Sequence, residues 1–329
     1  MDSSCFKHTD VDRGHHYCYY HAPPRSSDML TLLFLHGFPS TSSDWQKQIS
    51  FFQPKGYGIL APDLLGAGGT SKPHDSGQFR LNAMALDVIN LLDRENLKVV
   101  VGIAHDWGCV LLSRLSMLYP ERFCGFGWLG HPFIEPITTD FDLEETMRAV
   151  KAIFGYEGYS YWQFFRRPDA PDIIRQNVDS FLQLLYPKDP DCWRTYMALP
   201  GKTAEWIEGN VQPGWAEYLS EEDYSAIRRE FLNGDVRSAL NWYISQLQNN
   251  DVEDNQKIPV DTWVITKPSF LAAALRDPIC TPAWGRAAMD KYGTQVEYAS
   301  FDAGHWLHRE RYGEVNLALH SWLRTLPLE

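Results

Sequence analysis

Stretches of uninterrupted apolar residues alternate along this chain with stretches whose apolar positions recur every three or four residues. Residues 30–35, 58–62, 99–101 and 124–129 carry almost no polar alternation. Strands of that kind are buried on both faces, as in a parallel sheet covered by helices on each side. Helical spacing follows around residues 45–52, again at 81–92, and then at Val110, Leu111, Leu112 and Leu115. The alternation predicts an α/β chain with a mostly parallel, doubly wound sheet. An aromatic stretch near the start, GHHYCYYHAPP, reads as a further strand ending at Pro23 and Pro24.

The pattern changes after Gly130. From there to about Asn255 strand signals nearly vanish, and Trp, Tyr and Phe appear amid helical spacing. The sheet pattern resumes over residues 258–266, with another strand near 296–300 and a last helix over 314–323. These changes predict a discontinuous core, residues 1–131 and 256–329, and an inserted helical cap, residues 132–255. A cleft between sheet and insertion is the natural place for a small-molecule pocket. The chain's 12 Trp, 16 Tyr and 17 Phe supply ample apolar walls for one, though many must simply be core.

Composition narrows the partners more than the fold. A length of 329 residues, 44% hydrophobic and 22% charged, is that of an ordinary folded protein able to bury a large core. The net charge of -12 argues against nucleic acid and leaves a neutral substrate open. Six scattered cysteines without a CxxC pair predict free thiols in a reducing compartment. No apolar run reaches membrane-spanning length, and neither MDSSCFKHTD nor TLPLE carries an address, so cytoplasm is the expected location. His15, His16 and His21 lack the spaced Cys, Asp or Glu that a metal site needs. GAGGTS lacks both the P-loop ending and the GxGxxG spacing.

Candidate chemistry centres on AHDWGC, where Asp106 follows the 99–101 strand at the start of a helix. In a strand-turn-helix nucleophile elbow the residue at the corner is held in a strained backbone conformation between small neighbours, here Ala104 and Gly108. A capped turn is the competing reading of Asp106-Trp107-Gly108. Two later positions weigh against it. Asp277 in LRDPICTP is expected in the loop after a 261–266 strand, although KPSFLAAALR makes that approach long, and His305 in FDAGHW follows the next strand. The order nucleophile, acid, histidine is that of elbow hydrolases, and a histidine acts as base only when an acid such as Asp277 holds its other nitrogen. Glu135 is the alternative acid.

With His36-Gly37-Phe38-Pro39 matching HGxP, Ala104 to Gly108 matching the aspartate elbow and Gly304-His305-Trp306 carrying the base, the sequence resembles the α/β-hydrolase-fold soluble epoxide hydrolases, of a microbial or fungal kind, across residues 28–325. Two cap tyrosines of that family correspond to Tyr161 in SYWQFFRRP and Tyr243 in ALNWY. Ala104 and Cys109 stand where the family commonly has glycine. The resemblance implies that Asp106 attacks an epoxide carbon, Tyr161 and Tyr243 donate to the oxygen, and His305 activates water against the ester. Backbone N–H groups of Phe38 and Trp107 would form the oxyanion hole. It implies no metal or organic cofactor, a small apolar or amphipathic epoxide as substrate, and a monomer or homodimer. A haloalkane or haloacid dehalogenase shares the aspartate-ester logic, and a small-ligand receptor on the same scaffold is the non-enzyme alternative.

Overall fold

The computed structural model describes residues 1–327; Leu328 and Glu329, the end of TLPLE, lie outside the described residues. One sheet organises the chain. Its strands are β1 (Phe6–Asp10), β2 (His16–Ala22), β3 (Thr31–Leu35), β4 (Gly58–Pro62), β5 (Val100–His105), β6 (Phe123–Leu129), β7 (Ser269–Ala274) and β8 (Val296–Phe301). They lie in the order β1-β2-β4-β3-β5-β6-β7-β8, antiparallel at β1-β2 and β2-β4 and parallel from β4 onward. Every residue of β3, β4, β5, β6 and β7 is buried. The apolar runs are therefore central strands. Strand β1 carries the polar sequence FKHTD, lies half exposed at the edge, and gave no apolar signal.

Helices α1 (Gln46–Phe52), α2 (Leu81–Arg94) and α3 (Trp107–Leu118) connect the first parallel strands. Between β6 and β7 come α4 (Leu143–Phe154), α5 (Tyr161–Phe165), α6 (Ala170–Gln176), α7 (Val178–Leu185), α8 (Cys192–Tyr196), α9 (Lys202–Glu208), α10 (Glu221–Asn233), α11 (Val236–Leu247) and α12 (Val252–Asn255). Helices α13 (Pro282–Tyr292), α14 (Leu307–Glu310) and α15 (Tyr312–Leu323) complete the described chain. From β3 the chain moves outward to β4, then returns past β3 to β5 and proceeds the other way to β6. The connections thus diverge between the carboxyl ends of β3 and β5, the crevice where open α/β sheets bind ligands.

The strand expected over 258–266 is not there. Residues Val260–Trp263 form a 3-10 turn with exposed Val260 and Val264, and the strand is Ser269–Ala274. Local propensity points away from this strand, because LAAALR is alanine-rich, whereas the β-branched residues lie over 258–266. Packing decides otherwise: β7 lies between β6 and β8, and Ala272, Ala273 and Ala274 lie buried in the sheet. KPSFLAAALR is the strand rather than a long approach, so Asp277 stands only three residues beyond its end.

The GAGG glycines serve the core. Asp63 accepts from the Ser42 N–H at 2.8 Å and from the Gly69 N–H at 2.8 Å. A Cβ at Gly68 would sit 2.0 Å from that carboxylate. The loop therefore wraps an internal acid.

Candidate active site

Asp106 closes β5 with φ 53° and ψ -127°, a conformation that L residues with a Cβ rarely adopt. Close packing enforces the turn. A Cβ on Gly108 would lie 2.3 Å from the Leu35 carbonyl oxygen, and one on Gly37 would lie 2.3 Å from Asp106 Oδ1. The carboxylate consequently projects over the ends of β3 and β5, where the Phe38 N–H donates to Oδ1 at 2.9 Å. Phe38 is held there by His36, whose Nδ1–H donates to the Gly37 carbonyl at 2.8 Å while Nε2 accepts the Leu64 N–H at 2.9 Å.

His305 stands between two acids. Its Nε2 lies 3.5 Å from Asp106 Oδ2, and Nδ1 lies 2.7 Å from Asp277 Oδ2. The other Asp277 oxygen accepts the Ile279 and Cys280 N–H groups at 2.8 and 2.9 Å. The acid is thereby pinned by its own loop and turned toward the ring. Glu135 is half exposed and paired with Lys291 at 2.9 Å, away from this line.

Burial pushes the Asp106 carboxyl up, yet the hydrogen bond and charge of His305, with the Trp107 backbone N–H, hold it well below the usual carboxylate range. Burial pushes the His305 ring down. The Asp277 charge, with hydrogen bonds to Asp106, Asp277 and the Cys280 thiol, reverses that and holds the imidazole well above its usual range. The resting pair is carboxylate and imidazolium.

A cavity of about 200 Å³ opens over Asp106 and is walled by Phe38, Trp107, Tyr161, Trp162, Tyr243 and His305, among others. Tyr161 opens α5 and Tyr243 lies on α11; their rings meet edge to face at 5.9 Å. Tyr243 also packs edge-on against Phe38 and Trp107, each at 5.2 Å. Burial raises both phenols well above their usual range, so they remain O–H donors. A hollow of about 360 Å³ lies on another side of His305 and Trp306, rimmed by charges such as the Arg276–Glu310 pair. The apolar chamber is the one that suits an apolar ligand.

Behind His305 lies a group that sequence reading missed. Asp44 Oδ2 accepts from His308 Nε2 at 2.9 Å, and Asp44 Oδ1 pairs with Arg309 Nε. Asp44 belongs to the turn that follows HGFP, and His308 and Arg309 follow the catalytic-type histidine by three and four residues. The ion pair therefore ties the Phe38 loop to the His305 loop. His105 adds a second tie, with Nε2 bonded to the His305 carbonyl at 2.9 Å. Trp306 Nε1 adds a third, donating to Leu185 at the end of α7 at 2.8 Å. No local motif could reveal Asp44, since its partners lie more than 260 residues away.

Comparisons with known proteins agree with this architecture. A family model described as alpha/beta hydrolase fold matches residues 31–312. The chain is 28% identical to epoxide hydrolase A of Mycobacterium tuberculosis over 90% of this chain and 91% of that one. It is 25% identical to bifunctional epoxide hydrolase 2 of Sus scrofa over 88% of this chain, spanning half of that longer protein. Among solved structures, epoxide hydrolase A from Mycobacterium thermoresistibile superposes with TM-score 0.81 at 26% identity, covering 98% of this chain and 100% of that one.

The Asp44 tie predicts a stability effect. Asp44→Ala leaves a buried guanidinium and imidazole without their acid and should cost on the order of 3–5 kcal/mol at neutral pH by urea unfolding. The Asp44 carboxyl is held well below its usual range because the charges of Arg309 and His308 outweigh its burial. Its contribution is thus present above about pH 4 and fades as pH falls toward the lowered folded value. Equal urea midpoints for the two proteins at neutral pH would contradict this role. The family match covers most of the sheet and the whole intervening helical segment, and the chain belongs to the α/β-hydrolase-fold family.

Proposed function

We propose that this protein hydrolyses epoxides to vicinal diols through an ester on Asp106, with a core of residues 1–131 and 256–329 and a cap of residues 132–255. The observation that carries the reading is an ionised aspartate at the elbow, backed by His305 and Asp277 and facing two neutral phenols across an apolar chamber. The relatives' names as epoxide hydrolases support the same activity.

The proton balance closes on the resting pair. Asp106 attacks an epoxide carbon, the C–O bond breaks, and Tyr161 and Tyr243 donate to the oxygen as it becomes an alkoxide. Forming the ester removes the Asp106 charge that helps hold the proton on His305. That proton is released as the alkoxide is protonated, leaving a neutral imidazole oriented by Asp277. Neutral His305 then takes a proton from water, and the hydroxide attacks the ester carbonyl. Phe38 and Trp107 N–H groups receive the oxyanion, and collapse regenerates the Asp106 carboxylate, the imidazolium and a free diol. None of these steps calls on a metal or organic cofactor. The substrate class is a small apolar or amphipathic epoxide, in keeping with aromatic walls. Among the described residues the six cysteines form no disulfide, which supports a reducing, cytoplasmic compartment. Among the described residues no helix is long and apolar enough to cross a membrane.

His305→Gln should permit alkylation and block hydrolysis. Intact-protein mass spectrometry after exposure to a styrene-oxide-like epoxide should show one substrate mass added per chain, localised to Asp106, and Asp277→Asn, with alkylation largely intact and ester hydrolysis slowed by orders of magnitude, should accumulate the same ester. Normal turnover without an adduct contradicts these roles; halide release from a haloalkane with no diol from epoxides favours the dehalogenase.

The phenols are tested at the first step. Tyr161→Phe and Tyr243→Phe keep the ring packing and remove one donor each, so single-turnover alkylation should fall by about 10²- to 10³-fold, less where the remaining phenol compensates. Unchanged alkylation in the folded double variant contradicts the assignment.

A further inference from the structure

We propose that Asp277, Cys280 and His305 form a binding site for a thiophilic divalent cation, of the zinc or cadmium kind, whose occupation switches off the hydrolytic step. One ligand atom from each residue lies within 4.8 Å of the other two, and all three residues are buried. The loop builds this closeness. Cys280 follows Asp277 by three residues and donates its backbone N–H to Asp277 Oδ1 at 2.9 Å, so the segment folds back over the acid. The thiol sulfur thereby comes within 4.8 Å of a His305 ring nitrogen. Cys280 and His305 both line the apolar chamber, which gives an ion a route in.

Sulfur, imidazole nitrogen and carboxylate oxygen are a zinc-type donor set, with metal–ligand bonds of about 2.0–2.3 Å and a fourth position left to water. A second buried group, Asp44, His105 and His308, is as compact. It is the poorer candidate because the Arg309 guanidinium already holds Asp44 and repels a cation. Among the described residues, Asp277 accepts from two backbone N–H groups and from His305, none of them a fixed cation such as a guanidinium.

Binding releases the thiol proton and one ring proton to solvent, with no change of oxidation state. The consequence for catalysis is the same whichever ring nitrogen the cation takes. On Nε2 it occupies the lone pair that would accept the proton from water. On Nδ1 it leaves the remaining ring proton on Nε2, which again cannot accept one. His305 is lost as a base in both arrangements.

The inhibition rests on the proposed epoxide hydrolysis; the binding does not, so two readouts separate them. Cadmium chloride added to the whole protein should raise a thiolate-to-cadmium charge-transfer absorption that saturates at one ion per chain. In rapid quench with an epoxide, the same titration should make the Asp106 ester accumulate, and a chelator should reverse both effects. Cys280→Ser should weaken cadmium binding, and sensitivity relative to its own uninhibited rate, by more than the about 10- to 100-fold that outer partners of a ligand command. Cys192→Ser should change neither. The proposal is overturned if Cys280→Ser keeps the wild-type affinity and sensitivity, or if Cys192→Ser abolishes the absorption. Should Cys280→Ser fail to fold, His305→Gln decides by absorption alone, since an unchanged cadmium affinity there excludes His305 as a ligand. A protein that forms no ester even without cadmium would defeat the functional reading and leave the absorption test standing.

Discussion

A negative charge enclosed at the end of β5 is the constraint around which the rest of this molecule is arranged. Moving a carboxylate out of water costs several kcal/mol even after relaxation, and only good geometry with added hydrogen bonds recovers it. Asp106 obtains both from separate parts of the chain. The Phe38 N–H comes from the β3 loop, the Trp107 N–H from the start of α3, and the His305 charge from the loop after β8. The same contacts that make the buried anion tolerable aim it at the chamber. Tolerance of the enclosed charge and its orientation toward the chamber therefore share one origin.

Neutralisation by His305 requires a second acid, because burial alone would strip the ring of its proton. Asp277 supplies it and is itself fixed by backbone N–H groups. The demand then passes outward to the loops. Asp44 clamps His308 and Arg309, His105 holds the His305 carbonyl, and Trp306 ties that loop to α7. The Phe38 N–H and the His305 ring are thus set by one interlocked unit.

Much of this is legible in the sequence because the informative signals are local. An apolar run without alternation is a buried strand wherever it falls, and small residues around an acid at a strand end are what a crowded elbow demands. Gly37 and Gly108 show why, since neither has room for a Cβ. Strand β7 escapes a local reading for the opposite reason: its alanines have little strand propensity, and only the neighbours β6 and β8 make them a strand. The uncertain distance to Asp277 comes from that one strand. Strand β1 and the Asp44 clamp were invisible because pairing across the fold, rather than any local pattern, creates them. The chamber's outline, drawn from side chains on several of the helices between β6 and β7, is equally beyond a linear reading.

On the ester route, oxygen reaches the substrate carbon from Asp106 and not directly from water. A single turnover in ¹⁸O-labelled water, with enzyme in excess over a styrene-oxide-like epoxide, measures this by mass spectrometry of the diol and of the peptide carrying Asp106. The ester route gives an unlabelled first-turnover diol and ¹⁸O in the Asp106 carboxylate; label in that first diol, with none in Asp106, would rule the route out.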